Sequence, residues 1–196
     1  MSDLVTLRQL TGLPTEPAPL AESALIMIDL QNTYTRDTLE LDGVQAAIEK
    51  AAALLDRART EGATVVHIMH DAGVGTPYDV TAEIGQIVDA VAPREGEPVL
   101  VKNFPNSFVG TTLDEELRKA GRTDVVLAGF MAHMCVNSTA RGAFNLGYRP
   151  TVVENATATR PLPGPPAVDS ASLKASSMAM IGDLFGIVVP DAEKFG

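Results

Sequence analysis

Ala24-Leu-Ile-Met-Ile-Asp-Leu-Gln-Asn-Thr-Tyr34 is an apolar run that ends on a carboxylate. The run Ala24–Ile28 is short and continuous, which is typical of a parallel strand buried on both faces. Asp29 follows it directly. Because open α/β sheets bind ligands beyond the carboxyl ends of their strands, Asp29 lies where a functional residue is expected.

Similar short apolar runs recur along the chain and alternate with helical patterns. The predicted strands are Ala24–Ile28, Thr64–Ile68, Val99–Val101, Asp124–Ala128, Pro150–Val153 and Ile187–Val189. Strands that alternate with helices predict a largely parallel sheet covered on both faces. We therefore expect an α/β fold, a three-layer α/β/α sandwich around one doubly wound, Rossmann-like sheet.

Four helical patterns fill the intervals between these strands. Apolar residues recur at helical spacing from Val44 to Ala58, and Gly62 is a natural C-cap. A second helix is predicted from Thr112, with Glu115 completing a capping box, to Gly121. A third is predicted from about Met134 to Leu146. The last pattern predicts a helix with one stripe formed by Leu173, Ser177, Met180, Ile181 and Leu184.

The bulk composition limits the classes of function. The chain has 196 residues, 45% hydrophobic and 20% charged, an ordinary balance for one globular domain. A net charge of -10 argues against nucleic-acid binding, because phosphates would be repelled. No apolar run is long enough to cross a bilayer and no signal peptide is visible, so a cytoplasmic protein without membrane contact is expected. We expect an N-terminal arm over residues 1–20 and a single domain over 21–196.

Reactive side chains follow several of the predicted strands. Asp29 follows the first strand, Lys102 follows the third, and Cys135, the only cysteine, lies where the third helix begins. A thiol with a pKa of about 8.5 is mostly protonated at neutral pH. A helix N-terminus and the Lys102 ammonium would both favour the thiolate, and Asp29 could accept the thiol proton. Taken singly, each has a structural alternative: a buried Cys, a capping Asp and a solvated Lys.

The surrounding motifs are more specific than the positions. The first strand with Asp29 and Gln31, the segment Val101-Lys-Asn-Phe-Pro-Asn-Ser-Phe-Val-Gly-Thr-Thr-Leu113, and Ala128-Gly-Phe-Met-Ala-His-Met-Cys-Val136 together resemble the isochorismatase-like cysteine hydrolases. That superfamily includes nicotinamidases and N-carbamoylsarcosine amidases. The match extends from about Ala24 to Val189 in the same order.

The resemblance implies a role for each matching position. Cys135 would be the nucleophile, Asp29 the general base and Lys102 the residue that stabilises the thiolate. It also implies six strands in the order 3-2-1-4-5-6, a cis peptide at Phe130–Met131, and an oxyanion hole from the backbone N–H groups of Met131 and Cys135. No cofactor would be needed. A small-molecule substrate and a homo-oligomer, dimer or tetramer, are implied as well.

Departures from the family pattern bear on whether the protein uses a metal and on the class of bond that it cleaves. Metal-dependent nicotinamidases carry an Asp-x-His cluster soon after the first strand and another His after the second. This chain has no His in the first region, 35–40, and lacks the expected His in the second, 70–75. His67 and His70 are three apart on an extended segment, so they should point to opposite faces and not chelate one ion. No metal is therefore expected. Isochorismatases proper hydrolyse a vinyl ether and lack the cysteine, so Cys135 favours hydrolysis of a carbon–nitrogen bond, in an amide, carbamoyl group or lactam. A nitrile or ester would need the same nucleophile.

Side chains that flank these residues are candidates for the substrate pocket. They are Gln31, Tyr34, His70, Phe104, Phe108, His133 and Met134. Phe104 and Phe108 could equally pack a loop onto the sheet, and His70 could be a hydrogen-bonded residue at a strand end. Two other classes of function remain open at this point. The chain could be a binding or scaffold protein that has lost activity, or a redox sensor that uses its single thiol.

Overall fold

A computed structural model describes residues 4–195, and its centre is one parallel sheet. The sheet has six strands in the order β3-β2-β1-β4-β5-β6, as the resemblance implies. The strands are β1 Ala24–Ile28, β2 Thr64–His70, β3 Val99–Lys102, β4 Asp124–Phe130, β5 Arg149–Ala158 and β6 Ile187–Val189. The reversal of strand order between β1 and β4 places the ligand-binding crevice of this class of sheet at their carboxyl ends.

The predicted helices are present with shifted bounds. The α-helices are α1 Leu7–Leu10, α2 Val44–Glu61, α3 Leu113–Lys119, α4 Asn137–Asn145 and α5 Ser170–Met180. Gly62 ends α2 in the left-handed region, with φ +74°, as predicted. Single π-helical turns precede α4, over Ala132–Val136, and follow α5, over Ile181–Phe185. Within residues 4–195, no helix has the length and apolarity needed to cross a bilayer.

The predicted capping box of α3 is wrong. Thr112 has φ -91° and ψ 15°, outside the extended region that an N-cap side chain needs, and it makes no capping hydrogen bond. The hydroxyl of Thr111 accepts a hydrogen bond from the N–H of Leu113 at 3.2 Å instead. The cap is therefore one residue earlier than the sequence pattern indicated.

Two apolar layers cover the sheet. On one face, Leu25 and Met27 of β1 pack with Leu54 and Leu55 of α2. On the other face, Ile26 packs with residues of α3, α4 and α5. These β1 and α2 side chains are at most 1% exposed, and each fully buried Leu or Ile contributes about 1.5–3 kcal/mol relative to exposure. The apolar run Ala24–Ile28 is thus at the centre of the core.

Residues 4–20 contact the end of the same chain. The N–H of Leu7 donates to the Asp183 carboxylate at 3.0 Å, and the guanidinium of buried Arg8 donates to the Leu184 carbonyl at 2.9 Å. Residues 1–3 and 196 of the predicted arm and domain lie outside the described residues. The division into an arm over 1–20 and a domain over 21–196 stays a prediction.

Candidate active site

Asp29, Lys102 and Cys135 meet at the carboxyl edge of the sheet. Lys102 is the last residue of β3, Asp29 follows β1, and Cys135 lies in the turn after β4. The Lys102 ammonium is 2.7 Å from Asp29 Oδ2 and 3.4 Å from Cys135 Sγ. The side chains of Asp29 and Lys102 are 0% exposed, and Cys135 is 5% exposed. Three residues far apart in sequence therefore form one buried cluster.

A close approach between β1 and β4 aligns these residues. Gly129 pairs with Ile28 in the sheet, and a Cβ atom at position 129 would lie 1.9 Å from the Ile28 carbonyl oxygen. Its φ of +124° also excludes most side chains. Asp29 itself has φ +49°, the left-handed region that Asp and Asn tolerate best among non-glycine residues. The bend turns the Asp29 carboxylate away from the strand direction, towards Lys102.

Lys102 has an acceptor for each of its three N–H groups. Besides Asp29 and Cys135, its ammonium lies 3.2 Å from His70 Nδ1. Burial, and then the charge of Lys102, lowers the pKa of His70 to about 4. At neutral pH, His70 is therefore an uncharged imidazole, and Nδ1 can accept a hydrogen bond from the lysine. His70 thus helps to orient Lys102.

The sequence predicts that Cys135 is favoured as a thiolate, and the pKa shifts in the structure run against this. Burial, followed by the charge of Asp29, raises the pKa of the Cys135 thiol to about 12, and Lys102 only partly opposes this. Burial also raises the pKa of Asp29 above its usual range, against the opposing effect of Lys102. A thiol beside an ion pair of Asp29 with Lys102 carries no net charge. Moving the thiol proton to Asp29 leaves that sum unchanged.

No other hydrogen-bond donor competes for the Asp29 carboxylate. Among residues 4–195, neither oxygen accepts a conventional hydrogen bond beyond its contacts with Lys102 and Cys135. A carboxylate that several backbone N–H groups stabilise loses basicity. Asp29 is not weakened in this way, so it can accept a proton from the adjacent thiol.

The turn that carries Cys135 is irregular in a specific way. The peptide Phe130–Met131 is cis, as the resemblance implied. The carbonyl of Met131 accepts hydrogen bonds from the N–H groups of Met134 at 3.0 Å and Val136 at 3.2 Å. The second bond spans five residues and defines a π-turn, a feature often found at functional sites. Cys135 is therefore in the first turn of a continuous helical segment that runs into α4.

A buried serine on α5 supports this turn. Ser177, 0% exposed, donates through its hydroxyl to the carbonyl of Ala132 at 2.9 Å. The same hydroxyl accepts from the side-chain amide of Asn137 at 2.9 Å, and Asn137 accepts from Arg141 at 2.7 Å. Sequence reasoning did not assign Ser177 to the site. The available signal was a polar residue on the apolar stripe of the last helix.

Gln31 does not have the substrate-binding position predicted for it. Its side chain is fully buried and accepts a hydrogen bond from the His70 N–H at 2.8 Å. Its amide group donates to the carbonyls of His70 at 3.0 Å and Gly85 at 2.7 Å. With these groups bonded to the backbone, Gln31 fixes the end of β2 and leaves no amide hydrogen for a ligand.

Aromatic side chains surround the cluster on one side. Tyr34 is 1% exposed, and its hydroxyl lies 3.3 Å from that of Tyr78. The Tyr78 ring meets the His70 ring edge-on at 4.9 Å between centroids. Tyr78 lies in the irregular segment between β2 and β3, where no sequence motif pointed to it. Tyr34 and His70 are therefore near the cluster, with Tyr78 as an added member.

The remaining predicted pocket residues are Phe104, Met134, His133 and Phe108. Phe104 and Met134 are 55% and 39% exposed, and His133 Nδ1 lies 2.5 Å from the Thr159 hydroxyl. Phe108 instead stacks on the Tyr148 ring at 5.6 Å and packs against the core. This contact supports the loop-packing alternative for Phe108, and its role in substrate binding stays a prediction.

The histidines do not converge, as predicted. His67 Nε2 contacts Glu97 at 2.9 Å, whereas His70 contacts Lys102. Among residues 4–195, no group of three or more His, Cys, Asp or Glu side chains is arranged to hold a metal ion.

Two large surface cavities lie away from the cluster. One of about 590 Å³ is lined by residues that include Met69 and Gln86, and another of about 530 Å³ by residues that include Thr64 and Glu97. Neither contains a residue of the reactive cluster. The chemistry of the side chains, and not cavity size, identifies the candidate site.

Comparison with known proteins places these features in context. The family model of the isochorismatase domain matches residues 23–184. A secreted isochorismatase effector, Isc1, of Verticillium dahliae is 36% identical over 93% of this chain and 95% of its own. Maleamate amidohydrolase of Pseudomonas putida is 34% identical over 70% of this chain and 72% of its own. The crystal structure of an isochorismatase from Pseudomonas putida superimposes with a TM-score of 0.94, at 38% identity, over 97% of this chain and 99% of that one.

These relatives leave two expectations untested. One of them is named a secreted protein, so the predicted cytoplasmic location of this chain stays a prediction. The predicted homo-oligomer stays a prediction as well.

Proposed function

The chain belongs to the isochorismatase family, and on that premise we propose that it is a cysteine hydrolase that cleaves a carbon–nitrogen bond of a small molecule. The amidohydrolase among its relatives supports the class of bond. The observation that carries the proposal is the buried contact of Lys102 with both Asp29 and Cys135, at 2.7 and 3.4 Å.

The first half of the reaction forms an acyl-enzyme. Asp29 accepts the Cys135 proton as Sγ attacks the carbonyl carbon of an amide, carbamoyl group or lactam. The backbone N–H groups of Met131 and Cys135 would bind the resulting oxyanion, where one such donor is typically worth about 3 kcal/mol. Asp29 then gives its proton to the leaving nitrogen and the carbon–nitrogen bond breaks. Ammonia or an amine departs from an amide or carbamoyl group, whereas the amine of an opened lactam stays on the acyl group.

The second half regenerates the thiol. Water attacks the thioester carbonyl and loses a proton to Asp29, and the tetrahedral intermediate collapses with cleavage of the carbon–sulfur bond. The departing sulfur takes the proton back from Asp29. Lys102 stays an ammonium throughout and stabilises whichever neighbour is negative. The balance is one water consumed, with a carboxylic acid or carbamate and an amine released from an amide or carbamoyl group, or one ring-opened amino acid from a lactam.

Lys102 is important for catalysis because the proton moves between two buried groups, Cys135 and Asp29. Isolated charges are costly to bury, and Asp29 or a Cys135 thiolate alone would be strongly disfavoured. With Lys102 in contact with both, each protonation state contains one anion and one cation. One form has an Asp29 carboxylate and a Cys135 thiol, and the other has protonated Asp29 and a Cys135 thiolate. Lys102 therefore keeps these two forms close in free energy.

The test is turnover with a panel of amides, ureas and lactams, with maleamate and isochorismate included. We expect the wild type to release ammonia or amine from at least one nitrogen compound, and Cys135→Ala to lose roughly 10³-fold or more of that rate. Acid quenching of the wild type during turnover should give an acyl adduct in its intact mass. Because the chain has a single cysteine, a thioester adduct can form only there.

Equal turnover by the wild type and Cys135→Ala would contradict the proposal. Hydrolysis of isochorismate that survives the loss of Cys135 would instead support vinyl-ether chemistry. A stable sulfenic acid on mild peroxide treatment, without turnover of any panel compound, would favour the redox sensor.

A further inference from the structure

Thr139 and Ser107 join the helix that follows Cys135 to the loop that follows Lys102. The two hydroxyl oxygens are 2.9 Å apart, and the N–H of Ser107 donates to the Thr139 hydroxyl at 3.1 Å. Both residues are 0% exposed. Because a buried hydroxyl without a partner is costly, the structure is held to this contact once the two surfaces have packed.

Thr139 lies one helical turn after Cys135. Residues four apart in a helix point to the same side, so both side chains should face the end of β3. The contacts agree with this, because Cys135 Sγ contacts Lys102 and the Thr139 hydroxyl contacts Ser107. The helical segment therefore meets β3 and the loop after it at two successive turns.

The loop over residues 103–112 is packed closely against α4. A Cβ atom at Gly142, which follows Thr139 by three residues, would lie 2.5 Å from the side-chain amide of Asn106. Within the loop, the hydroxyl of Thr111 donates to the Ser107 carbonyl at 2.6 Å. The loop is thus braced internally, and a shift of Ser107 away from α4 would carry its neighbours with it.

The contact compensates for the outer position of β3. Within residues 4–195, β3 pairs with β2 and with no other strand. On the β2 side, the N–H of Asp71 donates to the Lys102 carbonyl at 2.9 Å. Ser107 and Thr139 supply an attachment on the other side, towards α4. The end of β3 that carries Lys102 is therefore held from both directions.

We propose that Thr139 is a positioning residue, which holds the Lys102 ammonium within contact distance of Cys135 Sγ. It acts through Ser107, and the distance that it sets is 3.4 Å. This inference rests on the proposed function and adds a residue that touches none of the reacting atoms. Burial and then Asp29 raise the pKa of Cys135, and the Lys102 charge opposes them. Because that opposition weakens with distance, a looser loop should give a less acidic thiol.

The test compares Thr139→Val with Thr139→Ser. Valine has the shape of threonine without the hydroxyl, and serine keeps the hydroxyl without the methyl. We would measure kcat, KM and the rate of Cys135 alkylation by iodoacetamide at pH 8, under conditions where urea unfolding shows each variant to be folded. Ser23→Ala is the matched control. Ser23 is 1% exposed, donates to the Pro19 carbonyl at 3.0 Å, and precedes β1 at the opposite edge of the sheet.

We expect Thr139→Val to lower kcat roughly tenfold with KM unchanged, because the buried hydroxyl does not reach the substrate. Alkylation should slow roughly threefold, because the loss of thiolate is only partly offset by its greater nucleophilicity. Thr139→Ser should restore most of both rates, and Ser23→Ala should change neither. Unchanged or faster alkylation in Thr139→Val overturns the proposal, and so does an equal fall in Ser23→Ala.

Ser107→Ala removes the other hydroxyl and replaces Thr139→Val as the test if the latter does not fold. Both of its rates should fall, by less than in Thr139→Val, because the Ser107 N–H keeps its acceptor. The double variant should be no slower than Thr139→Val alone, because both changes remove one contact. Losses that add would contradict the proposal. A wild type that turns over no panel compound overturns the proposed function, whereas the alkylation rates need no substrate and decide the role of Thr139 separately.

Discussion

The ammonium of Lys102 lies 2.7 Å from the carboxylate of Asp29, and neither side chain has any exposed surface. Removing one partner of a buried ion pair typically costs 3–5 kcal/mol, because the other charge is left uncompensated. A loss of activity in a variant at position 102 would therefore not separate the missing ammonium from a fall in stability. Replacing Asp29 with the isosteric Asn also removes an ion-pair partner, but the Lys102 ammonium can still donate to an amide oxygen and to Cys135, so we expect a smaller loss of stability.

Asp29→Asn should separate thiol reactivity from catalysis. The Asp29 charge raises the pKa of Cys135, and Lys102 lowers it. With Asp29 neutral, Lys102 is unopposed, so the Cys135 pKa should fall and alkylation by iodoacetamide at pH 7 should become faster than in the wild type. Turnover should fall roughly 10³-fold or more, because no base remains to move the proton. Alkylation is followed by intact mass and turnover by release of amine.

A slower alkylation in Asp29→Asn would contradict this electrostatic account. The matched comparison is Asp71→Asn, because Asp71 is close enough to act on His70 and lies outside the cluster. Its alkylation rate should stay within about twofold of the wild type.

His70→Gln should change how stability depends on pH. The pKa of His70 is lowered from 6.5 to about 4 in the folded protein. Its contribution to stability is therefore present above about pH 6.5, the unfolded value, and is lost as pH falls through the folded value. Gln can still offer an oxygen to Lys102 and does not titrate. Between pH 6.5 and 4, the wild type should lose about 1–2 kcal/mol more than the variant, after allowance for partial exposure.

Urea unfolding of both proteins at several pH values measures this difference. Other titrating groups, such as Glu97 with its pKa lowered to about 2, are common to the two proteins and cancel in the comparison. Parallel stability curves from pH 6.5 to 4 would show that His70 does not carry the buried interaction with Lys102.

Ser177→Ala should slow chemistry through the turn that carries the nucleophile. The change removes the hydroxyl that donates to the Ala132 carbonyl and one of the two acceptors of the Asn137 amide, which keeps the Ser177 carbonyl; such a loss typically costs about 1–3 kcal/mol of stability. The π-turn should loosen, and kcat should fall roughly tenfold with KM unchanged, because the oxyanion donors are used only in the transition state. Ser176→Ala, at an exposed neighbouring position, is the control and should leave kcat unchanged.

Alkylation of Cys135 needs no oxyanion hole and distinguishes this role from a general loss of structure. The alkylation rate in Ser177→Ala should stay within about twofold of the wild type. An equal fall in turnover and alkylation would count against a role in orienting the turn.

Gly129→Ala should be among the most damaging single-methyl substitutions in the chain. The new Cβ would lie 1.9 Å from the Ile28 carbonyl oxygen, so β1 and β4 would have to separate. We expect a loss of at least about 3 kcal/mol in the free energy of unfolding, or no folded protein. Gly147→Ala is the control: its φ is +89° and no atom lies within 4 Å of the added methyl, so only backbone strain of about 1–2 kcal/mol remains. Comparable losses in the two variants would contradict the steric argument.

Residues tied to a regular pattern were predictable from the sequence. The strand runs and the helix α2 with Gly62 follow from local patterns. Together with the resemblance of three motifs, they predict Asp29, Lys102 and Cys135 at one edge of the sheet. Strand order came from the resemblance, because apolar runs alone do not say which strands are neighbours.

Other features depend on contacts that no local pattern encodes. Gln31 follows Asp29 by two residues, and only the fold shows that its amide bonds to the backbone of His70 and Gly85. The raised pKa of Cys135 depends on how many atoms cover it, whereas its place in the sequence suggested only helix and lysine effects. Tyr78 reaches the His70 ring from an irregular segment, where no periodicity indicates direction.

The position of Lys102 ties catalysis to the rim of the sheet. Lys102 ends β3, an outermost strand of four residues that pairs with β2 alone. Short outer strands open at a smaller free-energy cost than the centre of a domain. Fraying of β3 would withdraw the Lys102 ammonium and leave Asp29 and Cys135 in place after the central strands β1 and β4. Heat or denaturant should therefore abolish catalytic activity reversibly before most of the protein unfolds.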